Sequence, residues 1–240
     1  MNPKVFLAVL AVVLVFGVAL IVGTTAPPAS NGLDLKQVKY TVQGQDQIAV
    51  LKPISVDALE GARYRFGDTN APVTIVEFAD YQCPACGVFA NQVESQLEEK
   101  LVQTGKVRYV FRDFPLLSIH PNAPAAAVAA ACVNVQAPNR FREFHKLLFQ
   151  LQAEWSALEP KVAVQKIIGY GKLLSLDMAK FETCVGSNET QASIQADIAV
   201  GNKVQLSGTP SFVFISKKGS FLMAGTMPIE GFEAVLAELQ

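Results

Sequence analysis

Residues 73–86 read Val-Thr-Ile-Val-Glu-Phe-Ala-Asp-Tyr-Gln-Cys-Pro-Ala-Cys. Residues 73–78 form a nearly continuous apolar run, the pattern of a strand buried on both faces. Cys83 and Cys86 follow, with Pro84 and Ala85 between them, and residues 87–104 read as a helix. Two cysteines at this spacing can close a small disulfide ring, open to a dithiol, or supply half a zinc site. A strand-to-helix junction favours redox chemistry, because the unpaired N–H groups and dipole of a helix N-terminus stabilise a thiolate. Pro84 falls at the first helical position, where no N–H donor is needed.

Glu77 is the one acid in the strand. A buried carboxyl is costly unless it is paired or protonated. It is therefore either a structural acid, solvated or in an ion pair, or a proton acceptor near the second cysteine.

Working outward, residues 106–111 read as a second strand, so strand, helix and strand imply a parallel pair. Residues 211–216 and 221–224 flank a Lys217, Lys218, Gly219 turn and read as a hairpin. Residues 230–239 read as a closing helix with Phe232, Val235, Leu236 and Leu239 on one face. Between the second strand and the hairpin, residues 115–206 carry helical spacing and no strand pattern. A ten-residue motif (Glu77, Phe78, Ala79, Asp80, Tyr81, Gln82, Cys83, Pro84, Ala85, Cys86), the long helical insertion and Gly208-Thr209-Pro210 occur in that order.

In that order and spacing, the chain resembles the DsbA-like family of extracytoplasmic thiol–disulfide oxidoreductases, of the membrane-anchored bacterial type. The resemblance covers about residues 64–240. It implies an α/β thioredoxin fold: a central mixed β-sheet with an inserted helical subdomain at about 116–206. It implies that Cys83 is the exposed, nucleophilic sulfur with a depressed pKa and that Cys86 is the buried, resolving one. Glu77 matches the family's buried acid, which helps Cys86 lose or take its proton. Pro210 matches its cis-proline, with Thr209 turned toward substrate; read without the family, Gly208-Thr209-Pro210 is an ordinary turn. Ala85 departs from the histidine of many strongly oxidising members, so the strength of the oxidant is open. Cys132 and Cys184 match a second, structural disulfide seen in some members. The other readings are two inert buried thiols and, well behind, a catalytic relay, since neither cysteine sits in a Cys-x-x-Cys motif.

His120 precedes Pro121 in the loop after the second strand, and His145 sits among apolar residues of a helix. Neither belongs to a histidine-rich metal set, and His145 reads as a packed histidine. Residues 5–23 carry no charge; as a helix they span roughly 28 Å, close to the thickness of a bilayer's hydrocarbon core. They read as an uncleaved anchor, with a cleaved signal sequence as the alternative. Residues 1–25 are thus assigned to the membrane, 26–61 to a linker or extended arm, and 62–240 to the globular domain.

The net charge of −1, with no basic stripe, gives no case for nucleic acid. The expected activity is oxidation of unfolded, cysteine-containing secreted proteins by the Cys83–Cys86 disulfide. The expected reoxidant is a membrane quinone-linked partner of the DsbB or vitamin-K-epoxide-reductase type. No metal or organic cofactor is expected, and the chain is expected to be monomeric. An isomerase or reductase would use the same residues, and a zinc-binding or chaperone module is the reading from another class.

Overall fold

The computed structural model describes residues 35–55, 57–59 and 61–240. The apolar run at 5–23 lies outside them. Among the described residues no helix is long and apolar enough to cross a membrane.

Seven strands form one sheet: β1 (Lys36–Val42), β2 (Gln45–Ile54), β3 (Tyr64–Phe66), β4 (Val73–Ala79), β5 (Val107–Asp113), β6 (Ser211–Ser216) and β7 (Gly219–Ala224). Their order is β1-β2-β7-β6-β4-β5-β3. Only β4 and β5 are parallel, with Ile75 opposite Tyr109 and Glu77 opposite Phe111. The β6–β7 hairpin lies antiparallel against the other side of β4. The central strand β4 is almost wholly buried, which its near-continuous apolar run demands.

Alternation along β4 splits its side chains between two cores. Val76 and Phe78 pack with Val110, Val213 and Leu222 on one face. Ile75 and Ala79 point the other way, into the larger core with Cys86, Phe89, Tyr109, Phe212 and Phe232. Glu77 shares that second face by register. The acid therefore lies on the same side of the sheet as the helix that carries the cysteines.

That helix, α1 (Pro84–Gln92), starts with Pro84 and is followed by α2 (Glu94–Leu97) and a π-helical turn at Glu98–Val102. The expected single helix over 87–104 is therefore broken at Val93. The insertion between β5 and β6 holds α3 (Ala123–Gln136), α4 (Phe141–Gln150), α5 (Gln152–Trp155), α6 (Pro160–Tyr170), α7 (Met178–Val185) and α8 (Asn188–Val204). The closing helix is α9 (Ile229–Leu239).

The boundary expected near residue 62 is too late. Residues 36–54, taken as an arm outside the domain, form the β1–β2 hairpin, and β2 pairs with β7 through Lys52 opposite Leu222. The reason is alternation: Val38, Ala49 and Leu51 are buried on one face, while Ile48 and Val50 face out. A strand half-covered in this way carries a weaker hydrophobic signal than a buried one.

Candidate active site

Cys83 is the N-cap of α1 and Cys86 lies one turn inside it. Both are free thiols. Cys86 is fully buried and Cys83 is 7% exposed, so the expected exposed sulfur is in fact largely covered. The cover is the loop before β6. There the Thr209–Pro210 peptide is cis, and the Cys83 thiol donates to the Thr209 carbonyl at 3.3 Å. Ser211, first in β6, donates back to the Gly208 carbonyl at 2.8 Å and holds that loop.

The two sulfurs are driven apart electrostatically. The Cys83 thiol is lowered to about 5, first by a hydrogen bond from Cys86, and further by the Thr209 hydroxyl and the backbone N–H groups of Cys86 and Ala85. Burial opposes this but does not win. The Thr209 hydroxyl is buried with no partner of its own in the dithiol form, so a thiolate gives it one. Cys86 is pushed well above its ordinary value, by burial first and then by Cys83 and Glu77. One thiolate and one thiol are thus the favoured state of the reduced pair.

Glu77 is buried, and burial together with the nearby Glu94 raises its carboxyl well above the usual range. The Tyr109 hydroxyl donates to Glu77 Oε2 and works in the opposite direction. Of the two sequence readings, the structural ion pair does not apply: the Glu77 carboxyl is hydrogen-bonded to a phenol, not to a cation. A carboxyl that holds its proton more tightly than usual is suited to exchanging it with a neighbouring thiol. On α2, Glu94 is lowered instead. Burial works against its charge, but His145, Arg142 and Lys146 outweigh burial. His145 Nε2 lies 3.4 Å from Glu94 Oε2, and His145 Nδ1 is hydrogen-bonded to the Tyr81 hydroxyl at 3.0 Å. His145 is therefore a buried, packed histidine between two polar partners.

The sequence reading missed the side chains that fix the turn before Cys83. Gln152 Nε2 donates to the Tyr81 carbonyl at 2.7 Å and to the Cys83 carbonyl at 3.0 Å. Gln82 Oε1 accepts from the Asn122 and Ala123 N–H groups, and Gln82 Nε2 donates to the Ser156 carbonyl. These bonds join positions about 40 to 74 residues apart, so no local pattern announces them. Only amide residues beside the motif hinted at them.

Cys132 and Cys184 are joined in a disulfide linking α3 to α7. A cavity of about 690 Å³ opens beside it, lined by residues such as Arg63, Val135, Lys180 and Thr190, and shares no lining residue with the Cys83 site. Among the described residues no three His, Cys, Asp or Glu side chains gather as metal ligands.

A sequence model of the family described as Thioredoxin matches residues 60–223. Among curated relatives, a Na(+)/H(+) antiporter NhaA 3 of Salinispora tropica is 37% identical over 146 residues, which are 61% of this chain and 20% of that protein. A probable disulfide bond formation protein D of Bacillus anthracis is 29% identical over 149 residues, 60% of this chain and 66% of that protein. The chain thus spans only about a fifth of the antiporter, and just under two thirds of the Bacillus protein. Among solved structures, alpha-DsbA1 of Wolbachia pipientis superposes with a TM-score of 0.64 at 24% identity, covering 73% of this chain and 89% of that one.

Proposed function

This chain belongs to the thioredoxin family and carries its DsbA-like fold, and from that premise we propose that it is an extracytoplasmic thiol–disulfide oxidoreductase working as an oxidase. In the working cycle the Cys83–Cys86 disulfide is the oxidised form. A thiolate of an unfolded secreted protein attacks Cys83 Sγ; the Cys83–Cys86 bond breaks and Cys86 leaves with the electron pair. Glu77 is placed to supply the proton Cys86 then takes. A second substrate thiolate attacks the mixed disulfide and releases Cys83 as a thiolate. The substrate has lost two electrons, which the protein holds as the Cys83 thiolate and the Cys86 thiol; its two thiol protons went to water, and one is taken back through Glu77. A membrane quinone-linked partner of the DsbB or vitamin-K-epoxide-reductase type takes them back.

The observation that carries this reading is the opposed pair of sulfurs, Cys83 lowered to about 5 and Cys86 held up. A stabilised Cys83 thiolate favours the reduced form, which makes the disulfide a good oxidant and Cys83 a good leaving group. The disulfide between Cys132 and Cys184 suits an oxidising compartment. The apolar run at 5–23 supplies a membrane tether that leaves the catalytic domain outside the cytoplasm. The relatives named for disulfide bond formation agree with this reading.

The test is oxidation of a reduced, unfolded two-cysteine protein by stoichiometric oxidised chain. Recovery of the disulfide-bonded substrate is expected, and Cys83 of Cys86→Ala, attacking an already disulfide-bonded substrate, should be trapped in a mixed disulfide. Preferential rescue of a scrambled substrate, with little oxidation of a reduced one, would assign it to isomerases.

A further inference from the structure

The carboxylate of Asp80, last before the active-site turn, is fully buried and has four partners. Oδ1 accepts from the N–H groups of Gln82 at 2.6 Å and Cys83 at 3.2 Å. Oδ2 accepts from the Leu116 N–H at 2.7 Å and lies 2.8 Å from His120 Nδ1. One side chain therefore ties the turn carrying Cys83 to the loop after β5. A carboxylate only accepts, so Nδ1 carries the hydrogen and Nε2 is the nitrogen that gains and loses a proton. His120 is 16% exposed at its side chain, so that proton can exchange with solvent.

This arrangement sets two negative groups close together. A carboxylate bonded to the N–H of Cys83 disfavours a second negative charge on the same residue's sulfur, against the helix N-terminus that favours it. Among the described residues, His120 is the one basic side chain in hydrogen-bond contact with that carboxylate. The other titratable groups around the assembly are Cys83 and Cys86 on α1, Glu77 on β4 and Asp113 on β5; Asp113 has its own cation, Arg63 at 3.3 Å, which is also paired to Asp197.

We propose that His120, oriented by Asp80, is a positioning residue for Cys83. It fixes the turn through the shared carboxylate, and its positive charge offsets that carboxylate so that the thiolate is favoured. His120 does not touch the reacting sulfur; it acts through Asp80. The proposal rests on Cys83 being the attacking sulfur, and it gives the site a dependence on His120 protonation.

Thiolate absorbance of the reduced protein, followed from neutral to acid pH, tests it in four proteins: wild type, His120→Gln, Asp80→Asn and the double variant. The His120→Gln midpoint should rise by about half to one pH unit, and Asp80→Asn should lower it, from loss of one charge each. The double variant should return near wild type. The equilibrium with glutathione should move about threefold to tenfold toward the disulfide in His120→Gln alone, as the midpoint does. A purely structural role would lower melting temperature in all three variants and leave the wild-type midpoint in place, and that result overturns the proposal. Should His120→Gln fail to fold, Asp80→Asn, whose Oδ1 still accepts from Gln82 and Cys83, decides it by the sign of its shift. A wild-type protein that does not oxidise substrate would sink the functional reading while leaving these midpoints readable.

Discussion

Glu77 lies on the side of the sheet that carries Cys86, and its charge helps hold the Cys86 thiol protonated. Replacing Glu77 with Gln removes the acceptor and keeps the shape. Turnover of reduced substrate should slow about a hundredfold, the low end of the usual range for losing one acid–base group. The Cys83 midpoint should move little. Stopped-flow oxidation of the substrate, with a separate thiolate titration, checks both. The sulfurs also make stability depend on pH. Cys83 is lowered from 9.0 to about 5, so its contribution to the reduced form is present above the unfolded value and lost as pH falls through about 5. Cys86, raised, contributes the opposite way, at and above its ordinary range. The oxidised form has neither thiol. The melting temperature of reduced minus oxidised protein should therefore fall steadily as pH is lowered from about 9 to 5. A flat difference would mean that Cys83 is not a stabilised thiolate.

Cys83, Cys86, Glu77 and Pro210 were legible because each belongs to a short motif whose chemistry depends on spacing along the chain. Tyr109, Gln152 and the Asp80–His120 pair were not. Their partners lie 32 to 71 residues away in sequence, and only the register of β4 on β5 and the packing of the insertion bring them together. The resemblance set the Thr209 loop beside the cysteines, but not that it covers Cys83 through a bond to a residue 126 positions distant.

The insertion's helices are held by close contacts and one covalent link. Gly201 on α8 faces the Phe114 ring so closely that a Cβ would overlap it, and Phe114 is buried. Gly201→Ala should cost about 1–3 kcal/mol, typical of overpacking, measured by urea denaturation. The Cys132–Cys184 disulfide closes 52 residues between α3 and α7. Replacing both with Ala should lower stability by about 2–5 kcal/mol and leave the Cys83 midpoint in place. A change in that midpoint would mean that α3 and α7 reach the site electrically. The helices themselves were readable from apolar spacing, whereas the break after α1 at Val93 was not, because the apolar pattern continues across it.

At the level of the whole chain, the sheet extends past the strands that the cysteine motif demands. The β1–β2 hairpin covers the β7 edge, and its buried Val38, Ala49 and Leu51 pack into the larger core. A chain starting at Ser55 should keep the Cys83 chemistry, lose stability and associate through the exposed β7 edge. Sedimentation and thermal unfolding distinguish this from a chain whose association and stability are unchanged. In the hairpin one-sided burial leaves only the short alternation of Val38, Tyr40 and Val42, which fits a strand or an extended arm, while the parallel β4–β5 core announced itself by continuous apolar runs.

Everything proposed for the molecule converges on how strongly the Cys83–Cys86 disulfide pulls electrons. Its reduction potential, measured by equilibration with glutathione, tests that directly. A Cys83 thiolate stabilised as described predicts a potential above about −200 mV, on the oxidising side of glutaredoxins. A value near the about −270 mV of thioredoxin would contradict it and assign the chain to the reductases.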